Sequence, residues 1–414
     1  MPSLATRPTR SMDDFVLTQV HDSETKAFTR SKNADSWKSQ LSVEEYVMRE
    51  HVLGLSKMAS LGGHELMVFI MTKKDEPDVP LCSCELLVRK AYRYTKTDTG
   101  VERRDVMSGC IGAVFTYKEH RAKGYASVMI DHLVKIAKSP LVLGEDGFIF
   151  LYSEVGEYYT RNGFKSFHVP LAKFAIQQIY RFELPPNVEL IKFHEFERDF
   201  KEYSKDLDAK IRQSVSEDGI ERITTASNEH YVDWFHLRVK YIAHKLFDKN
   251  KSDWDFSSET IESLATKFKD TKPEYFGLRL FCPNSGTYKG FIVWTYDYEF
   301  NEEENKFHNY VTVIKKFVAP EYNEDETTLE LFLLMTKFLG SKHEGHQMSN
   351  MEQVKLWESE VSPSVMDSIK QMYGAKGGLE NGSRSAILIN RKEDDIKMRE
   401  GKIVWEDNTK LLWF

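Results

Sequence analysis

CIGAVFTYKEHRAKGYASVMIDHLVKIAK, residues 110–138, changes character twice, and the rest of the chain is read outward from it. From Cys110 to Tyr117 apolar and small residues run together without proline, as in a buried strand. From Ala126 the period becomes helical. Ala126, Met129, Leu133 and Ala137 fall on one stripe, Ile130 and Val134 widen it, Asp131, Lys135 and Lys138 lie outside it, and Pro140 ends it. Between strand and helix lies the basic loop His120–Ala126. The first amides of a helix have no partner within it and carry the positive end of its dipole, so such a junction suits a phosphate. Gly124 lets an anion approach the backbone, Ala122 and Ala126 keep bulk away, and Arg121 and Lys123 add full charges. The bland alternative is an ordinary strand-to-helix turn with a solvated basic loop. A Walker loop would need a second glycine and a Lys-Ser/Thr ending, and a dinucleotide fingerprint would need G-x-G-x-x-G; neither is present.

Arg121-x-x-Gly124-x-Ala126, with a strand before it and a helix after it, resembles motif A of the GNAT superfamily of N-acetyltransferases. Downstream, the buried-strand pattern Phe148–Tyr152 is followed by Glu157–Phe164, in which Tyr159 stands four residues before Gly163-Phe164, the spacing of that family's motif B. The resemblance implies an α/β (α+β) fold with a mixed central sheet and acetyl-CoA as co-substrate, with no metal. It implies that Arg121, Ala122, Lys123, Gly124, Tyr125, Ala126 and Ser127 cradle the pyrophosphate. It also implies that strand 110–117 is splayed from its neighbour and holds the pantetheine through the backbone of Phe115 and Thr116. Acetyl transfer to an amine needs a base for the amine and a proton for the departing thiolate. Tyr159 is the expected acid, and Glu154, just beyond strand 148–153, the expected base, with Glu85 its rival. Each of these acids also has a plain structural reading as an arginine's partner. No Ser-His-Asp or Cys-His pattern suggests an acyl-enzyme, so direct attack is expected.

At 414 residues the chain exceeds the usual size of one core, and its 41% apolar content is enough for two. A net charge of −7 argues against broad binding to nucleic acid or anionic membrane and leaves room for a cationic substrate. Four cysteines, Cys82, Cys84, Cys110 and Cys282, are too few and too irregular for a disulfide framework, and Cys82-x-Cys84 lacks a second pair for zinc, so they read as small buried hydrophobes. No apolar run of about 18 residues marks a membrane span. A cytoplasmic protein is expected, with peroxisome, mitochondrion and nucleus left open.

Residues 1–14 read as a disordered tail, 15–184 as the acetyl-CoA-binding domain, and 185–414, beginning at Pro185-Pro186, as a second domain. Phe15–Thr18 is a first strand, Glu24–Leu55 one or two helices that the resemblance lays over the acceptor site, and Glu65–Thr72 and Leu81–Tyr94 are strands. Glu44, Glu45 and Glu50 are candidates for attracting a cationic acceptor or are simply a solvated face. The region from Leu190 to Phe268 is expected to be mostly helical. Strands follow at 275–281, 290–298 and 309–318, then a helix at 327–339, a strand at 353–357 and a helix from Ser362 to Tyr373. That order repeats the first half, which implies a degenerate GNAT-like domain; an unrelated α+β domain is the alternative. Glu321, Glu324, Asp325 and Glu326 stand where the first half has its basic loop and would repel a pyrophosphate. The C-terminal Lys410–Phe414 is apolar enough to dock as a last strand or plug.

The placement of Trp37, of Cys82-x-Cys84-Glu85 and of Leu151–Gly156, with the long second domain, is similar to fungal lysine N6-acetyltransferases, which implies free L-lysine as acceptor. A peptide or polyamine acceptor, and an acyl-CoA-binding protein without turnover, are the competing readings.

Overall fold

Both periodicities of residues 110–138 become the elements they suggest, and the chain is built around that junction. The computed structural model describes residues 11–248, 254–341 and 351–414. In chain order the first half comprises β1 (Phe15–Val20), α1 (Ser23–Trp37), α2 (Val43–Gly54), α3 (Lys57–Ser60), β2 (Glu65–Lys73), β3 (Cys82–Thr97), β4 (Gly100–Thr116), α4 (Tyr125–Ala137), β5 (Phe148–Ser153), β6 (Lys165–Ser166) and β7 (Leu171–Ala175). The second comprises β8 (Val188–Lys192), α5 (Glu197–Asp218), β9 (Glu221–Thr225), α6 (His230–Phe247), α7 (Ile261–Lys267), β10 (Tyr275–Phe281), β11 (Tyr288–Asn301), β12 (Lys306–Val318) and α8 (Glu324–Gly340). It ends with β13 (Met351–Trp357), α9 (Pro363–Tyr373), β14 (Lys376–Leu379), β15 (Arg384–Ile389), α10 (Lys392–Arg399) and β16 (Ile403–Trp405).

The first sheet runs β1-β2-β3-β4-β5-β15-β6, with β9 pairing the far end of β3 and β16 pairing β9. The second runs β14-β7-β13-β12-β11-β10-β8. Among the described residues only β4 with β5, β12 with β13, and β9 with β16 are parallel. β5 is apolar at nearly every position because it is covered on both faces. Ile149 and Leu151 pack under α4 with Met129, Ile130 and Leu133, while Phe148 and Phe150 face the second half. The core on that side is continuous between the sheets, joining Leu87 and Cys110 to Trp234, Trp294 and Trp405.

The second half repeats the first, as its element order suggests. β12–α8–β13 reproduces β4–α4–β5, but the cleft where β12 and β13 part is closed by a buried ion triad. Pairing stops at Thr312 and Lys355, and beyond it Lys315 Nζ lies 2.8 Å from both Glu360 Oε1 and Asp407 Oδ1. The α8 N-terminus is capped by its own Asn323, which accepts from the Glu326 amide at 3.0 Å, and its acids are engaged by Lys316 and Ser362. That helix end has its charge already met.

Several expectations are corrected. Residues 12–14 form a 3-10 turn capped by Ser11, so the expected tail does not extend to residue 14; its first ten residues lie outside the described ones. The region 190–268 is mostly helical as expected, through α5, α6 and α7, but it also supplies β8, an edge of the second sheet, and β9, which joins the first. The sheets also do not divide at residue 184. β7 sits in the second sheet between β13 and β14, and β15, from far down the chain, sits in the first between β5 and β6. The two halves thus exchange strands, and neither sheet is complete without the other's segment.

Candidate active site

β4 and β5 pair in parallel from Ser108–Phe148 to Ile111–Leu151 and then part. At the parting point β4 carries a bulge, because Ser83 opposes Phe115 while Glu85 opposes Gly112, leaving one extra residue on β4. Ala113 sits within it at φ +48°, a left-handed conformation that costs a non-glycine residue roughly 1–3 kcal/mol and gathers at functional sites. The bulge turns the backbone of Gly112, Ala113 and Val114 onto a cavity of about 260 Å³. This differs from the expected placement. Phe115 is buried with its ring against Trp37, and the Thr116 carbonyl accepts from Arg121 Nε at 3.2 Å, so the cavity meets residues 112–114 instead. Gly112, an isolated glycine inside the strand pattern, was the local signal for this bulge.

One side of the cavity is formed by α1 and α2, through Trp37, Tyr46, Arg49 and Glu50. Glu85 from β3 and Glu154, Val155 and Tyr159 from the end of β5 and beyond form another. Trp234 and Arg238 of α6 and the C-terminal Trp413 and Phe414 close it. Phe414 fits directly over Gly112, where an added Cβ would lie 2.7 Å from the ring, so the expected plug is present and the site needs glycine there. Arg89, fully buried under Phe150 and Tyr231, holds this segment by donating to the Leu412 carbonyl at 2.8 Å. A second cavity of about 210 Å³ lies beyond Arg49 and Arg238, which line both.

Tyr159 is 8% exposed, packed edge-on against Tyr158 and Phe164, and burial raises its phenol well above the ordinary value. It therefore stays protonated, and its hydroxyl has no hydrogen-bond partner among the described residues. Glu154 is exposed and accepts from Trp37 Nε1 at 3.3 Å. Glu85 is buried, 3.7 Å from Arg30 Nε; burial raises its carboxyl, against the pull of Arg30. Glu50 is bound by Arg49 Nε at 2.8 Å. Glu44 and Glu45 are taken up in capping α2, where the Ser42 and Glu45 backbone amides bond the reciprocal side chains at 2.9 and 3.1 Å. Cys110 lines the cavity, its thiol pushed up to about 12 by burial, and Cys82 and Cys84 are buried likewise.

The loop leading into α4 has the form the sequence suggests. Ala122 and Gly124 are left-handed, at φ +63° and +81°, and the amides of Ala122, Lys123, Gly124 and Ala126 have no acceptor among the described residues. Consecutive amides in such a turn form an anion-binding concavity at a helix N-terminus. Arg121 and Lys123 are exposed beside it, with Arg121 lying over the Phe115 ring. Tyr125 contributes backbone only, because its ring is buried against Phe15. Ser127 receives two hydrogen bonds from Asn162 Nδ2, at 2.9 and 3.1 Å, which tie the loop to the turn carrying Tyr159. Among the described residues no group of three His, Cys, Asp or Glu side chains could hold a metal ion, and no helix is long and apolar enough to cross a membrane.

One cavity thus joins the β4 edge beyond its pairing with β5, a protonated phenol and carboxylates, and the loop of unpaired amides at the start of α4 follows the same strand. Arg238 went unmarked in the sequence as a site residue, since nothing local distinguishes it. The family model for the LYC1 GNAT-like C-terminal domain matches residues 177–414, more than half of the chain. An uncharacterised Saccharomyces cerevisiae protein, YGR111W, is 26% identical over 447 aligned positions, covering 97% of this chain and 98% of its own length. A lysine acetyltransferase of Yarrowia lipolytica is 33% identical over 151 residues, which span 33% of this chain and 36% of that one. Among solved structures, a GCN5-related N-acetyltransferase from Anabaena variabilis is 12% identical with a TM-score of 0.49, covering 91% of this chain and 73% of its own. The chain belongs to the LYC1-like GNAT family, and is an acyl-CoA N-acyltransferase.

Proposed function

We propose that the protein transfers the acetyl group of acetyl-CoA to the side-chain amine of free L-lysine. The observation that carries this reading is the small size of the cavity and the side chains that border it. Helices α1, α2 and α6 and the C-terminal Trp413 and Phe414 border a space of about 260 Å³ beside Tyr159 and Glu154, which suits a single amino acid. The partial similarity to the Yarrowia lysine acetyltransferase supports the same acceptor.

In this reading the diphosphate lies on the α4 cradle with Arg121 and Lys123 beside it, and Ser127 steadies the turn. The pantetheine follows the unpaired edge of β4, where backbone amides of the bulged segment polarise the thioester carbonyl. Glu154, directly or through a water, takes the proton of the attacking ammonium; Glu85, deeper in the cavity, is the alternative. The C–N bond forms, the C–S bond breaks and Tyr159 protonates the departing thiolate, while the second proton shed by the amine nitrogen passes through solvent to restore Tyr159, giving N6-acetyllysine and CoA. The test is acetyl-CoA turnover against free lysine, ornithine, polyamines and lysine-bearing peptides. Free lysine is expected to give the highest kcat/KM; turnover with peptides alone overturns the reading.

A further inference from the structure

The acceptor cavity has acids near the reacting groups, while its wall towards the second half carries Arg238, with Lys410 against the Trp413 that also lines it. Arg238 lines both cavities, and its nearest carboxylate is Asp297, 3.9 Å from Nη1. One oxygen of that carboxylate already accepts from Thr312 Oγ1 at 2.9 Å. The Trp413 ring lies between two cations, with Lys410 Nζ 3.8 Å and Arg238 Cζ 5.7 Å from its centroid. Lys410 has no carboxylate within ion-pair distance among the described residues. Lys355 is in the same position, its ammonium 3.0 Å from the Tyr310 ring centroid, and it too feels Asp297 as its main acid. Arg49, the other basic group on the cavity wall, is occupied by Glu50. The three half-buried cations share Asp297, with Glu50, Glu154 and Glu299 as the more remote acids. Burial without a matching anion is costly, and the values of Arg238, Lys410 and Lys355 are all depressed by it, the two lysines to about 8.

We propose that Arg238, backed by Lys410, is the subsite for the α-carboxylate of the acceptor. This assignment rests on the amino-acid reading of the site given above. An arginine at a cavity wall presents a fork that matches a carboxylate in two parallel hydrogen bonds, whereas a half-buried lysine behind it contributes a point charge. With the carboxylate held at Arg238, an extended side chain carries its amine across the cavity toward Tyr159 and Glu154, which line the same space. The subsite selects amino acids over diamines of equal length, since a diamine would bring a second ammonium up to the cations.

The experiment compares free L-lysine with 1,5-diaminopentane, the same chain without the carboxylate. In the wild-type protein kcat/KM favours lysine. Arg238→Gln is expected to lower the lysine-to-diamine ratio at least about 30-fold, chiefly through KM for lysine. Lys410→Met is expected to lower it less, and Arg238→Lys to restore part of it. A thermal melt with CoA bound checks that each variant is folded. If wild-type protein acetylates lysine but Arg238→Gln and Lys410→Met keep the wild-type ratio, the subsite is refuted while the lysine reading stands. If the wild-type protein prefers the diamine, both are refuted.

Discussion

Replacing Tyr159 with phenylalanine removes one oxygen and tests the chemistry separately from the fold. The ring makes its packing contacts with Tyr158 and Phe164 at centroid distances of 5.2 and 6.3 Å, and phenylalanine keeps both. The hydroxyl donates to nothing among the described residues, so no partner is stranded when it goes. Stability should therefore change by no more than about 0.5 kcal/mol, the range for substitutions that leave packing and hydrogen bonds intact. Loss of a positioned general acid costs a factor of roughly 10²–10⁴ in rate. The assay pairs steady-state release of free CoA, followed by thiol titration, with CoA affinity by calorimetry and a thermal melt. The expected result is a kcat lowered at least about 100-fold with CoA affinity and melting temperature nearly unchanged. An unchanged kcat would remove Tyr159 from the mechanism. A large loss of stability would show that the hydroxyl has a structural partner after all.

Other outcomes follow from the same structure. Arg121→Ala and Lys123→Ala, both at exposed positions beside the amide cradle, should each weaken CoA about 5- to 10-fold, with a shallower dependence on salt than wild type, read by calorimetry at several ionic strengths. The second domain has its cleft filled and its helix N-terminus capped, so the same titration should give one CoA per chain. Lys315→Met strands the buried carboxylates of Glu360 and Asp407 and should destabilise by about 3–5 kcal/mol, seen as a lower melting temperature. Lys410 offers a pH test. Its folded value of about 8 lies below the ordinary 10.5, so the fold favours the neutral amine. Its contribution is thus present above about 10.5 and is lost as pH falls towards 8, leaving a penalty below that. Lys410→Met should accordingly be more stable than wild type near pH 7, by on the order of 3 kcal/mol at most, with the advantage shrinking from pH 8 to 10. An advantage independent of pH would contradict the assignment.

Legibility from sequence followed the range of the interactions. The α4 loop and the Tyr159 turn were readable because glycine, small residues and basic residues act within a few positions of one another. The degenerate second domain was readable too, because Glu324, Asp325 and Glu326 state their repulsion locally. The strand exchange was not readable. β15 completes the first sheet from about 230 residues downstream of β5, and its apolar pattern would suit either sheet equally. The cavity wall was hidden for the same reason, since Arg238 looks like one more charge on α6 and Lys410 like a tail residue until the fold brings them to one tryptophan. The bulge at Ala113 brings Gly112–Val114 onto the cavity, while Phe115 and Thr116 lie beyond its lining.

A crystal structure of the protein with CoA would test the central claim most directly. The diphosphate oxygens should lie about 3 Å from backbone amides of residues 122–126 at the start of α4, with the pantetheine along Gly112–Val114. A diphosphate bound anywhere else, or no CoA bound at millimolar concentration, would contradict it.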